Sequence, residues 1–437
     1  MDARALQIGL AGFGNVGAGV YLNLVRNGDL VAARCGCRLE VRRIAVRDVN
    51  RVRAVDPPAA LVTADWRELA ADPEIDVIVE LMGGVSEAYD LVKAALEAGR
   101  IVVTGNKALL AERGRELFAL ARERGVPLLF EAAVAGGIPI IKAIQESLVG
   151  NRIESIYGIV NGTCNYILTR MQEAGIAYAE ALEEAQRLGY AEADPALDVS
   201  GWDAGHKAIL LGSLVSGAWV DPGSVVVEGI EHIAAADIGY AERLGYAVKL
   251  LAVIRRKGEA GLLEVRVQPS LVPSQHMLAA VHGVFNAVLV RGDVVGDALF
   301  YGSGAGRDPT SSAVISDLGE ACRAKRGVIQ TALINPAEEA ALLPVDESFS
   351  HYYLRLNVDN LPGVLARVAA LLGDHGAGIT TVLQPETEGD SAELVMVLGD
   401  APYGSIRRAL REIAELDCTR ETPVLLRLEP LETRATA

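Results

Sequence analysis

Apolar runs and amphipathic stretches alternate along the first 150 residues of the chain. The stretches DVIVELMGG (76–84) and IVVTGNKALL (101–110) each contain consecutive apolar residues, which is typical of strands buried on both faces. Between them, LVKAALEAG (91–99) has apolar residues three and four apart and ends in glycine, so it predicts a helix. This alternation predicts an α/β domain with a doubly wound parallel sheet over residues 1–150.

Strand-like stretches dominate the next part of the chain. VKLLAVIRRKG (248–258), LLEVRVQPSLV (262–272) and FNAVLVRGD (285–293) have few long helices between them. They predict an α+β domain over residues 151–304, built on one open sheet. A glycine-rich loop then leads into a helix, and we expect the segment 305–330 to return to the first domain.

The pattern changes again near the C-terminus. Residues 331–349 are rich in Pro, Ala and Glu and predict a linker. The remaining residues, 350–437, give a strand, a Leu-Pro-Gly turn, a helix, two strands, a helix and a final strand. The sequence therefore predicts a separate βαββαβ domain at this end of the chain.

Composition and charge restrict the class of protein. A chain of 437 residues is too long for one core and predicts two or three domains. Its net charge of −16 repels phosphate backbones, so we expect no nucleic-acid partner. The longest apolar run, 208–220, is too short to cross a bilayer, and no signal peptide is recognisable at the N-terminus. We therefore expect a cytoplasmic protein without a membrane partner.

The cysteines indicate neither a metal site nor a disulfide framework. Their number is odd and their spacing matches no zinc-binding pattern. Cys35 and Cys37 form a CxC pair that we interpret as two reduced thiols near the start of a strand. The sequence assigns no role to any of the five, which are Cys35, Cys37, Cys164, Cys322 and Cys418.

A glycine fingerprint lies between the first predicted strand and the helix that follows it. In Gly12-x-Gly14-x-x-Gly17 the first glycine allows a tight turn, the second lets the backbone approach a pyrophosphate, and the third lets helix and strand pack closely. The helix N-terminus adds N–H groups and partial positive charge. We expect this loop to bind a dinucleotide through Gly12, Phe13, Gly14, Asn15, Val16 and Gly17.

The end of the second predicted strand bears on the choice of cofactor. An acid there would hold the ribose 2′-hydroxyl of NAD, whereas this chain has Arg47 followed by Asp48. A guanidinium suits a 2′-phosphate, so the sequence favours NADP and leaves NAD open through Asp48. The alternative interpretation is that Arg47 is an ordinary surface charge at the end of a strand, with no role in cofactor binding.

Charged residues near the predicted ligand cleft complete the candidate chemistry. Lys107 and Glu131 follow buried strands, whose carboxyl ends face the ligand in such sheets. The stretch 189–207 places several acids before Lys207, and Asp203 lies one helical turn before that lysine. Such a group could hold a small zwitterion and move a proton. The alternative is an ion pair on a solvated helix face.

Several longer motifs resemble the homoserine dehydrogenase family, in its single-function form with a C-terminal ACT domain. They are GFGNVG, VVTGNKALL, FEAAVAGGIPII, NGTCNYIL, LGYAEADPALDVSGWDAGHKAIL and YGSGAGRDPTSSAV. The resemblance implies a Rossmann-type first domain, a substrate and dimerisation domain, and a regulatory ACT domain. It also implies reduction of L-aspartate 4-semialdehyde to L-homoserine with NADPH or NADH.

The resemblance also implies roles for single residues. Lys207 would donate and accept the proton at the substrate oxygen, Asp203 and Glu192 would hold the substrate, and Lys107 would line the same cleft. It implies further that Gly189 and Gly306 touch the cofactor and that Asn360 contacts an amino-acid effector, commonly threonine. The chain would form a homodimer or homotetramer. A monovalent cation, Na⁺ or K⁺, would be held by carbonyls near Glu131, Val134, Gly136 and Ile138.

Three positions depart from the family pattern, and two other functions compete. The departures are Gly105, Cys164 and the pair Arg307-Asp308, of which the last could affect cofactor preference. One competing function is a non-catalytic sensor of nucleotide and amino acid. The other is an aspartate-semialdehyde dehydrogenase, which needs an acylating cysteine in a context that Cys164 lacks.

Overall fold

The computed structural model describes residues 5–53, 55–258, 261–327, 334–385 and 389–431. The chain divides into two compact units. The first comprises the described parts of Met1–Ser155, His206–Ser224 and Asn286–Ala340. The second comprises the described parts of Ile156–Gly205, Val225–Phe285 and Ala341–Ala437.

Strands and helices are numbered along the chain. The strands are β1 (Leu6–Ala11), β2 (Leu39–Ala45), β3 (Val62–Thr63), β4 (Val77–Glu80), β5 (Ile101–Thr104), β6 (Leu128–Leu129), β7 (Ile153–Ile159), β8 (Ala218–Trp219), β9 (Val226–Val227), β10 (Tyr246–Lys257), β11 (Leu262–Pro273), β12 (Phe285–Gly292), β13 (Gly296–Ser303), β14 (Asn335–Glu339), β15 (Phe349–Asp359), β16 (Ile379–Leu383), β17 (Ser391–Pro402) and β18 (Val424–Leu428). The helices are α1 (Asn15–Cys35), α2 (Arg67–Ala71), α3 (Ser86–Glu97), α4 (Lys107–Arg124), α5 (Ile140–Lys142), α6 (Gly162–Ala174), α7 (Tyr178–Arg187), α8 (Ala196–Val199), α9 (Trp202–Ser216), α10 (Ala235–Arg243), α11 (Arg307–Lys325), α12 (Val364–Asp374) and α13 (Tyr403–Ala414).

The first unit contains the parallel sheet that the sequence predicts. Its strand order is β3-β2-β1-β4-β5-β6, and the pairs β1–β2, β1–β4 and β4–β5 are all parallel. Every residue of β4 and β5 is buried, because helices cover such a sheet on both faces. The strand order reverses at β1, and ligands of doubly wound sheets bind where this reversal occurs.

Helix α11 returns to the first unit and packs against α1 near the sheet. Val20 of α1 and Leu318 of α11 are both fully buried in one apolar cluster with β-strand residues such as Leu10 and Val79. The helix occupies most of the segment 305–330, of which residues 328–330 lie outside the described part of the chain. The packing places the first residue of α11 beside the second turn of α1.

The cysteine prediction was wrong at Cys37, which forms a disulfide with Cys322. The residue follows the C-terminal end of α1, whereas Cys322 belongs to α11 and is 285 positions further along the chain. Only the packing of α1 against α11 brings the two thiols together, so spacing along the sequence could not reveal the pair. Cys35, Cys164 and Cys418 are free thiols.

The second unit is built on a mixed sheet. Within it the strands run in the order β10-β11-β18-β15-β17-β16. The β10–β11 pair is antiparallel over its full length, whereas β11 and β18 are parallel. The described C-terminal elements are β15, α12, β16, β17, α13 and β18, which is the βαββαβ order that the sequence predicts.

The C-terminal segment is not set apart as the sequence suggested, because β18 continues the sheet through its pairing with β11. Two buried ion pairs strengthen this connection. The guanidinium of Arg266 on β11 lies 2.6 Å from the carboxylate of Glu429, and that of Arg355 on β15 lies 2.6 Å from Asp237 of α10. Side-chain pairing across distant segments leaves no trace in local patterning.

The predicted linker 331–349 contains regular structure in its described part, 334–349. Strand β14 pairs in parallel with β8, so this segment is anchored within the first unit. Residues 331–333 of the predicted linker lie outside the described residues, as do 386–388 and 432–437 of the predicted C-terminal domain. In the described chain, no helix has the length and apolar character needed to cross a bilayer.

Candidate functional site

The glycine fingerprint forms the turn between β1 and α1. A methyl group on Gly12, which has φ of 96°, would lie 2.4 Å from the Leu81 carbonyl oxygen. A methyl group on Gly17 would lie 2.1 Å from the oxygen of Gly12. Glycine is therefore required at both positions for the turn to close. By contrast, a methyl group on Gly14 would meet no protein atom within 4 Å, so this face of the loop is open to a ligand.

The end of β2 presents the two residues that bear on cofactor choice. Both Arg47 and Asp48 are exposed. The carboxylate of Asp48 stabilises the turn that follows β2, because it accepts a hydrogen bond of 2.8 Å from the backbone N–H of Asn50. Arg47 makes no ion pair with any residue in the described ranges, so its guanidinium is available to an anion.

Buried polar groups shape the carboxyl ends of β4 and β5. Thr104 donates a hydrogen bond of 2.6 Å to Glu80, and both side chains are fully buried. Burial raises the pKa of Glu80, while the hydrogen bond from Thr104 acts in the opposite direction. Asn106 caps α4 by accepting from the N–H of Leu109, which places Lys107 at the first position of that helix. The sequence interpretation identified Lys107 but missed Glu80, whose only signal is an acid at the end of an apolar run.

The second glycine-rich loop of this unit precedes α11. Gly306 caps that helix with φ of 124° and is exposed. A methyl group on Gly19 of α1 would lie 2.8 Å from the carbonyl oxygen of Arg307, so the start of α11 lies directly against α1. Arg307 pairs with its neighbour Asp308 at 2.8 Å on the surface. The fingerprint helix and the Gly306 loop therefore belong to one region of the first unit.

Glu131 is buried in an acidic cluster that lines a cavity together with Lys142, Asp317 and Glu320. Its carboxylate accepts hydrogen bonds of 2.9 Å from the backbone N–H groups of Ile141 and Lys142. Burial, together with the charge of Asp317, raises the pKa of Glu131 to about 7. The lysine lies 3.2 Å from Asp317 and 3.4 Å from Glu320, which balances part of the negative charge.

The turn that follows Glu131 has the chemistry of a carbonyl cation site. It is tight, since Ala135 and Gly136 both have positive φ, of 54° and 53°. Backbone carbonyls are hard oxygen ligands, and Glu131 adds nearby negative charge. The carbonyls of Glu131 and Ile138 also accept backbone hydrogen bonds, which leaves a second lone pair on each oxygen. Across the described ranges, no three His, Cys, Asp or Glu side chains form a metal-binding group.

The second unit holds a compact cluster around the start of α6. The amide of Asn161 donates to Asp198 and to Asp203, both at 2.8 Å. Thr163 donates to the carbonyl of Tyr190 at 2.8 Å and to Asp198 at 3.2 Å. Asp203 was predicted as a site residue, whereas Asn161 was missed. Asn161 is the N-cap of α6.

Helix α9 carries the predicted acid and lysine as expected. Asp203 and Lys207 are one turn apart, so their side chains share a helix face. They are only 5% and 8% exposed, respectively. The alternative of an ion pair on a solvated face is therefore excluded by burial. A buried carboxylate and ammonium within one turn of helix are suited to binding a polar ligand and to moving a proton.

The remaining predicted residues of the second unit lie on its surface. Gly189 and Glu192 are exposed, and the Glu192 side chain forms no hydrogen bond with any described residue. Asp194 caps α8 through the N–H of Ala196 at 3.1 Å. Asn360 is also exposed, and its amide donates to the carbonyl of Gly389 at 3.3 Å. The structure thus gathers Asp203 and Asp198 around Asn161, but it does not join Glu192 to them.

Cys164 lies in an environment unsuited to a nucleophile. The residue is fully buried on α6, and its thiol donates to the backbone carbonyl of Asp198 at 3.2 Å. An acylating cysteine needs access to substrate and a neighbouring base. The aspartate-semialdehyde dehydrogenase alternative therefore receives no support from this residue.

A glycine fingerprint at the switch point of a parallel sheet defines the class as a dinucleotide-binding protein. Two family profiles match the chain, the homoserine dehydrogenase NAD-binding domain over residues 12–131 and homoserine dehydrogenase over residues 139–318. A homoserine dehydrogenase of Pseudomonas aeruginosa is 45% identical over 401 residues, which cover 90% of this chain and 92% of the relative. The chain belongs to the homoserine dehydrogenase family.

Solved structures agree with this assignment. The structure of a homoserine dehydrogenase from Thiobacillus denitrificans superimposes with a TM-score of 0.93 at 40% identity, covering 98% of this chain and 99% of that one. A hyperthermophilic archaeal homoserine dehydrogenase in complex with NADPH gives a TM-score of 0.62 at 27% identity, covering 75% of this chain and 99% of that one. The family resemblance found in the sequence motifs is confirmed.

Proposed function

We propose that the enzyme catalyses the reversible reduction of L-aspartate 4-semialdehyde to L-homoserine. The observation that carries this proposal is the buried pair Asp203 and Lys207 on α9, within a chain of the homoserine dehydrogenase family. The direct test is absorbance at the nicotinamide band with homoserine and NADP⁺. A purified protein that produces no reduced nicotinamide would overturn the proposal.

The chain's own residues bind the substrate and handle the proton. The nicotinamide cofactor, when bound, supplies the hydride for the aldehyde carbon. Lys207 donates the proton to the aldehyde oxygen and stabilises the negative charge that develops there. Asp203 binds the reacting hydroxyl group, and Glu192 binds the substrate ammonium. Lys107 assists proton transfer. In the oxidative direction Lys207 must first be neutral, so homoserine oxidation should accelerate toward alkaline pH.

NADP is the proposed cofactor of choice. Arg47 is exposed at the end of β2 and has no ion-pair partner in the described ranges, whereas the Asp48 carboxylate is hydrogen-bonded to its own turn. A planar guanidinium suits a 2′-phosphate, which NAD lacks. Arg47→Ala should therefore raise the KM for NADPH and leave the KM for NADH nearly unchanged. Equal changes in the KM for NADPH and the KM for NADH would mean that Arg47 does not bind the 2′-phosphate.

A monovalent cation, Na⁺ or K⁺, is proposed at the turn that contains Val134, Gly136 and Ile138, next to Glu131. The tight backbone and the buried carboxylate support it. Removing alkali cations in favour of a bulky organic cation should lower the thermal stability of the protein, and adding K⁺ or Na⁺ should restore it. If neither K⁺ nor Na⁺ changes the melting temperature, the proposal of a cation site at this turn is wrong.

Residues 350–437 are proposed as an ACT-type regulatory domain that binds an amino-acid effector, with threonine as the first candidate. The βαββαβ order of the described elements supports this assignment, and Asn360 in the turn before α12 is the proposed contact. We further propose a homodimer or homotetramer. Threonine should lower the oxidation rate and raise the melting temperature, since an effector acts through unequal affinity for two states. Sedimentation would establish the oligomer.

A further inference from the structure

The amide of Asn161 connects two carboxylates that come from different segments. Its nitrogen lies 2.8 Å from an oxygen of Asp198 and 2.8 Å from an oxygen of Asp203. An amide nitrogen has two protons, and here one is donated to each acid. Asp198 belongs to the short helix α8, whereas Asp203 lies in the first turn of α9. Two acids that would otherwise repel each other are thereby held side by side.

The other end of the same side chain is fixed by the backbone. The carbonyl oxygen of Asn161 accepts a hydrogen bond of 2.7 Å from the N–H of Cys164 and so caps α6. Asn161 is 4% exposed. Each polar atom of the amide is therefore used, and the cap fixes its orientation. Because the side chain cannot rotate without losing the cap, the positions of both carboxylates are determined by the start of α6.

We propose that Asn161 is the positioning residue for Asp203 and acts on the reaction through that carboxylate alone. This inference rests on the proposed function, in which Asp203 binds the reacting hydroxyl group. The two donated hydrogen bonds favour the ionised forms of Asp198 and Asp203, because each satisfies part of the charge of its acceptor. The amide thus sets the orientation of Asp203.

Asn161→Ser keeps the N-cap of α6 but removes the pair of hydrogen bonds that links Asp198 and Asp203. Serine is as good an N-cap as asparagine, but its hydroxyl cannot donate to two carboxylates at once. We expect kcat/KM for homoserine to fall by about 10- to 100-fold, the range found when a partner that orients an active-site ligand is lost. The KM for the cofactor should stay within about twofold of wild type, and the melting temperature should change little.

Asn161→Asp gives a readout that a purely structural role would not alter. This variant keeps the acceptor for Cys164 but places a third carboxylate against Asp198 and Asp203. One of the three must take up a proton at lower pH, which restores a donated hydrogen bond, while repulsion grows as the pH rises. The ratio of variant to wild-type activity should therefore fall steadily between about pH 6 and pH 9. Other titratable groups near these carboxylates are the Cys164 thiol, which donates to the backbone carbonyl of Asp198, and His206 and Lys207, one turn after Asp203 on α9.

Asn165→Ser is the matched control, one turn further along α6. Asn165 is also a buried asparagine, but its amide donates to the backbone carbonyls of Val281, Gly283 and Phe285. Its side-chain oxygen lies 3.4 Å from the Nζ of Lys249, whose pKa burial lowers to about 8, so the control is compared at one fixed pH. This variant should lower the melting temperature and leave kcat/KM for homoserine at that pH close to the wild-type value. If Asn161→Ser stays within twofold of an active wild type and the Asn161→Asp profile runs parallel to it, the positioning role is refuted. Wild-type protein without homoserine turnover would instead overturn the proposed function, and this inference with it.

Discussion

Substitution of Gly14 by alanine tests the dinucleotide loop without disturbing the fold. A methyl group at this position would meet no protein atom within 4 Å. The residue has φ of −80°, outside the left-handed region that favours glycine. We therefore expect Gly14→Ala to fold and melt as the wild type does. Its effect should appear only when a ligand approaches the start of α1.

The expected magnitude follows from the contacts that a pyrophosphate makes with such a loop. A backbone N–H that binds a charged oxygen contributes about 1.5–3 kcal/mol. The added methyl group occupies the space from which the phosphate must approach. Loss of one such hydrogen bond should raise the Kd for NADPH by about 10- to 150-fold, since about 1.4 kcal/mol corresponds to a tenfold change.

The assay is a titration of nicotinamide fluorescence, paired with calorimetric melting curves. Gly28→Ala is the control, because Gly28 lies in the same helix and its added methyl group would also meet nothing within 4 Å. That control should bind NADPH normally and gain roughly 0.5–1 kcal/mol of stability from the better helix former. If Gly14→Ala binds NADPH as tightly as Gly28→Ala does, the glycine loop is not the pyrophosphate site.

Three further predictions concern other parts of the molecule. Lys207→Met should lower kcat by about 100-fold or more, with a smaller change in cofactor affinity, and stopped-flow kinetics that show near-normal kcat would exclude it as the acid. Glu131 keeps its proton more tightly in the folded state, with a pKa raised from 4.5 to about 7, so its contribution to stability is lost as pH rises through that range. Denaturant titrations should show a loss of about 3 kcal/mol from this group. Glu131→Gln should remove that part of the loss and leave the part due to Asp317, whose pKa is raised to about 6; equal losses in the two proteins would contradict this. Cys37→Ser should destabilise the non-reduced protein by about 2–4 kcal/mol, with no difference under strong reductant; equal melting temperatures without reductant would mean that the bond with Cys322 is not formed.

The first unit was the most predictable part of the chain, because its signals are local. Buried parallel strands consist of consecutive apolar residues, which are visible in a short segment of sequence. The turn at Gly12 and Gly17 tolerates no side chain, so its glycines are equally visible. Lys107 was recognisable because it follows such a strand. Glu80 has the same position relative to β4, but its pairing with Thr104 depends on which strands are neighbours.

The candidate site residues on α8 and α9 were predictable in type but not in arrangement. Periodicity placed Asp203 and Lys207 on one helix, but it could not show that this helix face is buried. The bridge made by Asn161 joins positions 42 residues apart, and no spacing rule covers such a contact. The pairing of β11 with β18 was missed for the same reason, since the linker and turn signals before residue 350 suggested a separate domain.

Strand β18 makes the C-terminal segment difficult to remove. Truncation before residue 349 would leave the part of β11 around Ser270 and Leu271 without its β18 partner, although β9 would still pair at Arg266 and Val267. Unpaired strand edges promote aggregation. It would also remove Glu429 from Arg266, which would keep Glu264 as a partner, and it would remove Arg355 from the buried Asp237. The proposed effector site should therefore be tested by point substitutions, because deletion of the segment would expose buried surface of the second unit.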